Sequence, residues 1–387
     1  MVTTEQERGR IIELDALRGL AVIGIVWMNV YIFALPSQAY YNPLSWGGDS
    51  AIDYTVWWVS FVFVEDKFRT LFAMMFGAGV AILMERGGER PNRAHYARML
   101  VLFGIGLAHG ILLADNDVLR AYALAGLALP LFMRLRPRYL IAIVLALIFV
   151  HIVIGTFYAA AQKPQYWEMN FGTHPFGLEV TYARGEEAFG ERLDRRLDRL
   201  LRTTIVMIAS IPLNLASMLV GLAAWKSGML AAKWPYTRLL IVASLAIATS
   251  AFALIYYANE AVASGYAGVT IAENSLLLSA PLDLLMGAGY AAAAMALFQF
   301  ARSSLPVRVL ADAGRLSLTN YLLTSVILAT LFASWGFGLF GTVSRSEALL
   351  FSFVPIAVML VFSPIWLRKF GQGPFERAWR GVAGLLS

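Results

Sequence analysis

His109 lies inside a long apolar stretch, RMLVLFGIGLAHGILLADNDVLR (residues 98–120), and two carboxylates, Asp115 and Asp117, follow it. Imidazole is the side chain whose unperturbed pKa, about 6.5, falls closest to neutral pH. A histidine whose ring is oriented by a carboxylate can act as a general base or as a transient acyl acceptor. A purely structural histidine would instead make one interhelical hydrogen bond. Asp, Lys and Arg inside a bilayer cost roughly 2.5–3.5 kcal/mol each on insertion scales. Each such group therefore requires a partner or a role.

Depth sorts these residues into two groups. At about 1.5 Å per residue, His109 lies roughly 16 Å from the start of its span, and Asn29 roughly 22 Å from the start of the first. His151 reaches a similar depth on the fifth span, and Lys67 and Arg69 enter from the outer side. One outward polar cluster is expected from Asn29, Glu65, Lys67, Arg69, His109, Asp115, Asp117 and His151. A second group faces the cytoplasm: Asp15, Arg18, Arg98 and Arg315, with Ser317, Asn320, Tyr321 and Thr324 along one polar face. A cationic mouth suits a phosphate-bearing donor. Ordinary helix packing with topology-setting arginines would present the same residues.

The elements that position these groups are apolar helices. Of 387 residues, 59% are hydrophobic and 14% charged, where a soluble domain carries about 25% charged. We expect an all-α, polytopic membrane bundle of about ten transmembrane helices with both termini cytoplasmic. The expected spans are 14–35, 69–84, 98–114, 118–133, 139–161, 203–225, 239–258, 278–300, 316–333 and 347–367. Gly77 and Gly79 allow close packing in the second. Interfacial helices are expected in 50–66, with a turn at Glu65, Asp66 and Lys67, and in 184–202, where one face is apolar and the other charged. Asp312 is the expected N-cap of the ninth span, and Asp283, after Pro281, reads as interfacial.

Three regions result: a five-span half (1–161) with the His109 segment, an extracytoplasmic amphipathic loop (162–202), and a second five-span half (203–387). Loops at 85–97, 134–138, 226–238, 302–315 and 368–380 are rich in Arg and Lys, and the intervening loops are poor in them, which puts both ends inside. The 162–202 segment is basic yet falls outside. The net charge of +6 resides mainly in these short loops, so nucleic-acid binding is not expected. Cysteine is absent, which excludes disulfides, thiolate nucleophiles and Cys-ligated metal. Four scattered histidines suggest no metal site. The first apolar run is too long for a cleavable signal.

Several stretches resemble the YeiB-like family of bacterial inner-membrane proteins. They are LDALRG with Asn29, EDKFRTLFAMMFGAG (65–79), GLAHG (106–110) with DNDVLRAYAL (115–124), GRLSLTNYLLTSV (314–326), WGFGLFG (335–341) and GPFERAWR (373–380). The C-terminal half carries the family's domain of unknown function. The resemblance implies a multi-pass protein of the inner (plasma) membrane, and a glycine where this chain has Asp66. More distantly, the LDALRG opening is similar to a transmembrane acyltransferase superfamily, whose members use cytoplasmic acyl-CoA and an intramembrane histidine. In its bacterial acyltransferases that histidine usually falls late in the first span, which reads WMNV here, so His109 would have to do the work.

The resemblance thus implies an acyltransferase moving an acyl group from acyl-CoA to an extracytoplasmic acceptor. His109 would be the base or acyl acceptor, Asp117 or Asp115 its orienter, and Asp15, Arg18, Arg98, Arg315, Asn320 and Tyr321 the donor-binding group. A transporter or lipid-handling protein without covalent chemistry would use the same intramembrane polar set, with Pro212 and glycines breaking helices. A ligand-binding or scaffold protein is the plainer third reading. A resident cofactor stays undefined, with acyl-CoA entering as donor substrate. Membrane lipid is the expected partner, and small-residue faces would suit a homodimer.

Overall fold

In lipid every backbone N–H and C=O must be satisfied internally, which restricts spanning segments to helices and closed barrels. Long uninterrupted apolar runs select helices. The computed structural model describes residues 10–48, 50–85, 91–114 and 117–386, and among them there is no strand. The first half comprises α1 (Ile12–Ala34), α2 (Ala51–Phe63), α3 (Lys67–Glu85), α4 (Pro91–Leu112), α5 (Val118–Gly126), α6 (Leu129–Phe132) and α7 (Pro137–Ala161). Residues 164–208 form α8 (Pro164–Phe171), α9 (Pro175–Glu186) and α10 (Phe189–Ile208). Then come α11 (Ile211–Lys226), α12 (Tyr236–Ala263), α13 (Gly268–Glu273), α14 (Ala280–Phe300), α15 (Leu305–Arg315), α16 (Ser317–Phe332), α17 (Arg345–Phe370) and α18 (Pro374–Leu386).

Among the described residues seven helices are long and apolar enough to cross a membrane, or up to nine if each of two bent pairs is one span. The expected ten spans are reduced for local reasons. Residues 118–133 form two pieces, α5 of 9 residues and α6 of 4, each far below the roughly 20 needed to cross. Helix α10 runs on into the expected sixth span and meets α11 at a 55° bend. Pro212 falls in the first turn of α11, where its missing N–H would be unpaired anyway. Asp312 lies inside α15, and α15 meets α16 at an 85° bend.

The turn expected at residues 65–67 is present between α2 and α3. Asp66 has φ 59° there, the left-handed region that glycine enters freely and aspartate tolerates better than most residues. Its carboxylate holds Arg69 at 2.8 Å. Helix α2 packs against α12 and α17, with Trp57 and Phe61 buried. Helix α10 buries no residue fully.

The two halves interlock, with α1 on α15 and α3 on α11. A Cβ on Gly19 of LDALRG would lie 2.1 Å from Leu310 O, and one on Gly314 1.8 Å from Asp15 O. Both glycines thus let α1 and α15 meet backbone to backbone. Gly77 faces Met218 in the same way, whereas Gly79 faces the Arg18 guanidinium.

Helix α16 starts inside the bundle, where its first N–H groups cannot reach water. Glu376 of α18 supplies the cap. Its carboxylate accepts from Leu318 N (2.8 Å), Thr319 N (3.0 Å) and Thr319 Oγ1 (2.5 Å). Glu376→Ala leaves these buried donors unpaired, at about 1–3 kcal/mol for each one orphaned. We expect a clear fall in detergent-solubilised Tm. An unchanged Tm would mean that water replaces the cap.

Candidate functional site

Two glycines on one face of α4 create the space for the site. Gly106 and Gly110 flank His109 at i,i+4. A Cβ on Gly106 would lie 2.7 Å from both Arg120 N and Asp117 Oδ2, and one on Gly110 2.9 Å from the Arg120 guanidinium. The start of α5 therefore presses onto α4 beside the histidine.

Asp117 is the N-cap of α5 and accepts from Arg120 N through Oδ2 at 2.9 Å. Its other oxygen, Oδ1, lies 2.8 Å from His109 Nδ1. His109 is 3% exposed and Asp117 1%. An ionised carboxylate only accepts, which assigns the proton to Nδ1. Nε2 is buried with no hydrogen-bond partner among the described residues, and whenever the ring is neutral it presents a lone pair there. Arg120 Nε stands 3.5 Å from Asp117 Oδ2, which balances the carboxylate charge. The Tyr321 ring lies 5.1 Å from the imidazole. This is a base held by an orienter, with its free nitrogen shielded from water.

The expected outer cluster separates into two groups. The first is His109, Asp117, Arg120 and Tyr321. The second surrounds Lys67, whose Nζ pairs with Asp283 Oδ1 at 2.7 Å and donates to Phe61 O. Lys67, Asp283 and Glu65 are all buried, and Glu65 Oε1 has no hydrogen-bond partner among the described residues. Asp283 is thus a buried partner and not an interfacial residue. Arg69 joins neither group by its side chain, which pairs with Asp66, and its carbonyl accepts from Tyr122 Oη at 2.7 Å. Asn29 is half-buried on α1. His151 joins neither group, because its Nε2 contacts Leu276 O at 3.1 Å on a single π-helical turn, Asn274–Leu278. Asp115 lies outside the described residues.

At the opposite end of α4 is a cavity of about 750 Å³ lined by Arg10, Arg18, Arg98, Arg315 and Arg380, with Asp15 and Glu376 as its carboxylates. It gathers Asp15, Arg18, Arg98 and Arg315 as expected. Asp15 pairs with Arg18 at 3.1 Å and with Arg10 at 2.7 Å. Residues from both terminal segments line it, so the two ends of the described chain share one side. Burial holds the Arg380 guanidinium below its ordinary pKa, with Glu376 opposing, a cost that an anionic ligand would relieve.

Two members of the expected donor group fall elsewhere. Asn320 is buried and donates to Ala313 O and Ser363 Oγ, each at 2.9 Å. Tyr321 stands at His109, as described above. Depth counting fails for both because α16 leaves α15 at an 85° bend, so residue count from the start of the expected ninth span does not measure position in the bundle.

His95 was not anticipated as a site residue. It lines the arginine cavity, is buried, and its Nε2 lies 2.9 Å from Gly126 O. A carbonyl can only accept, so Nε2 carries the proton, and Nδ1, without a partner among the described residues, is an acceptor. Its i,i+3 spacing to Arg98 is the only signal in the sequence that pointed to this face.

Similarity to known proteins agrees with these motifs. The chain is 32% identical over 388 residues to an Escherichia coli (strain K12) protein described as "Uncharacterized protein YeiB", covering 96% of this chain and 95% of that one. The chain belongs to the YeiB-like family. Residues 224–385 match the family described as "Protein of unknown function (DUF418)". A Bacillus subtilis (strain 168) protein, "Uncharacterized protein YxaH", is 29% identical over 403 residues, covering 97% of this chain and 94% of that one. The YeiB-like motifs now have physical meanings. GLAHG seats His109 against α5, LDALRG and GRLSLTN bring α1 to α15, and GPFERAWR carries the carboxylate that caps α16.

Proposed function

We propose that this YeiB-like protein is an acyltransferase of the bacterial inner membrane, moving an acyl group from a cytoplasmic thioester to an outward-facing acceptor. One observation carries the reading: a buried His109 is oriented through Nδ1 by Asp117 while Nε2 stays free. The arginine cavity at the other end of the same helix supports it. Arg98 and His109 are 11 positions apart on α4, roughly 16 Å along a helix. The five arginines would hold the phosphates of acyl-CoA. Phe72 and Phe76 line the cavity and pack on Tyr122, so the acyl-bearing arm must part them to reach the imidazole.

In the transfer step Nε2 removes the proton from an acceptor hydroxyl as its oxygen attacks the thioester carbonyl. The tetrahedral intermediate then expels the thiolate, which takes the proton back from Nε2. The products are an ester and a free thiol, so proton and leaving group balance.

Native mass spectrometry with acetyl-CoA tests the donor side. Wild type is expected to retain a CoA mass and Arg18→Ala to retain less. The absence of any CoA adduct alongside a retained lipid or metabolite would sink the enzyme reading. The bent pairs α10–α11 and α15–α16 favour a transporter or lipid-handling protein as the alternative, because broken helices line many transport sites. Substrate uptake into proteoliposomes without thioester turnover would select it.

A further inference from the structure

A second cavity, of about 390 Å³, opens at the outer end of the molecule. Its floor includes Leu113 and Ala114, whose backbone N–H groups both bond His109 O, at 2.9 and 3.1 Å. It therefore abuts the turn that ends the His109 helix, although His109 itself does not line it. One wall carries Arg184 from α9 and Arg192, Arg195 and Arg196 from α10.

Several of these arginines also build the wall. Arg195 pairs with Glu187 at 2.7 Å, Arg192 donates to Gly185 O, and Arg196 donates to Ile111 O and Leu113 O. The last pair fastens α10 across the end of α4. Tyr40 and Tyr41 face the cavity as well. Burial, reinforced by the Asp66 carboxylate, pushes both phenols above their ordinary pKa, so they remain O–H groups able to donate.

The position of the wall indicates where its ligand comes from. On α10, Leu197, Leu201, Ile205 and Ile208 are all at least 48% exposed, and their spacing puts them on one helical face. The same helix turns its arginines into the cavity. A helix with an apolar stripe outward and guanidinium groups inward lies at the membrane interface, at headgroup depth. Guanidinium groups match phosphate oxygens in charge and bidentate geometry.

We infer that this outer cavity binds the phosphate-bearing polyol head of a membrane lipid, and that this head is the acceptor class for the His109 site. The acceptor part rests on the acyltransferase reading, whereas the binding part stands without it.

The test uses full-length protein purified in detergent, offered phosphatidylglycerol, phosphatidylcholine or glycerol 3-phosphate, with retention read by native mass spectrometry. Phosphatidylglycerol is expected to be retained over phosphatidylcholine. Arg184→Gln is expected to weaken retention roughly tenfold or more, as loss of a charged hydrogen bond does, with partial rescue by Arg184→Lys. Tyr41→Phe, which keeps the ring, is expected to weaken it less, and His109→Ala to leave it unchanged. Equal retention of both lipids, insensitivity to Arg184→Gln and Tyr41→Phe in folded protein, or glycerol 3-phosphate competing as well as the whole lipid would each overturn the inference. Cavity-dependent lipid binding with no acyl transfer would keep the site and remove the enzyme reading. Transfer that is indifferent to Arg184 and Tyr41 would do the reverse.

Discussion

His109→Ala is expected to lower thioester turnover roughly 10²–10⁴-fold, the range that a positioned general base contributes, while acyl-CoA retention stays near wild type. The donor cavity and the imidazole occupy opposite ends of α4, so binding and chemistry separate in this variant. Asp117→Asn is the sharper probe. An amide can still cap α5 by accepting from Arg120 N, so the fold survives. It can also donate to Nδ1, which would move the imidazole proton to Nε2 and remove the free lone pair. Turnover should fall by a comparable factor, and Tm should fall as well, because the buried Arg120 guanidinium loses its counter-charge. Gly106→Ala should produce the same loss through geometry, because its methyl would occupy space held by Asp117 Oδ2 and the Arg120 backbone. Steady-state thioester cleavage in detergent, measured beside Tm, decides the matter. Full turnover in folded His109→Ala would leave the dyad a structural hydrogen bond.

How far the sequence revealed this site depended on the distance between the partners along the chain. His109 and Asp117 are eight positions apart, so their meeting was legible, although spacing did not choose between Asp115 and Asp117. Helix capping makes Asp117 a cap and an orienter at once. The inner arginines were legible because depth from the helix start is a sound measure in straight helices. It failed for Tyr321, since the 85° bend between α15 and α16 breaks the link between residue count and depth. The span count failed at α5 and α6 because apolar composition was sufficient there and helix length was not. Lys67 was assigned to the outer cluster and Asp283 to the interface, because their pairing is long-range and no local pattern specifies it.

That pairing carries the largest expected effect on stability. Lys67→Met alone should cost about 3–5 kcal/mol, the usual penalty for leaving one buried charge uncompensated. Asp283 would lose the ammonium that pairs with it at 2.7 Å. Asp283→Leu should cost a similar amount by stranding the ammonium, which would keep only the carbonyl of Phe61. The double variant Lys67→Met/Asp283→Leu should recover much of the loss, because removing both charges also removes their desolvation penalty. Recovery should be incomplete, since the buried Glu65 would keep a carboxyl oxygen with no hydrogen-bond partner among the described residues. Adding Glu65→Gln should restore more. Thermal unfolding of the set gives the coupling as a double-mutant cycle. Single variants within about 0.5 kcal/mol of wild type, the range of ordinary surface changes, would mean that water reaches the pair. The recovered double variant then separates structure from function. If it folds and turns over thioester normally, the charges only hold α3 to α14. If it folds and is inactive, an ion pair with no packing necessity is retained in the bundle for what passes beside it.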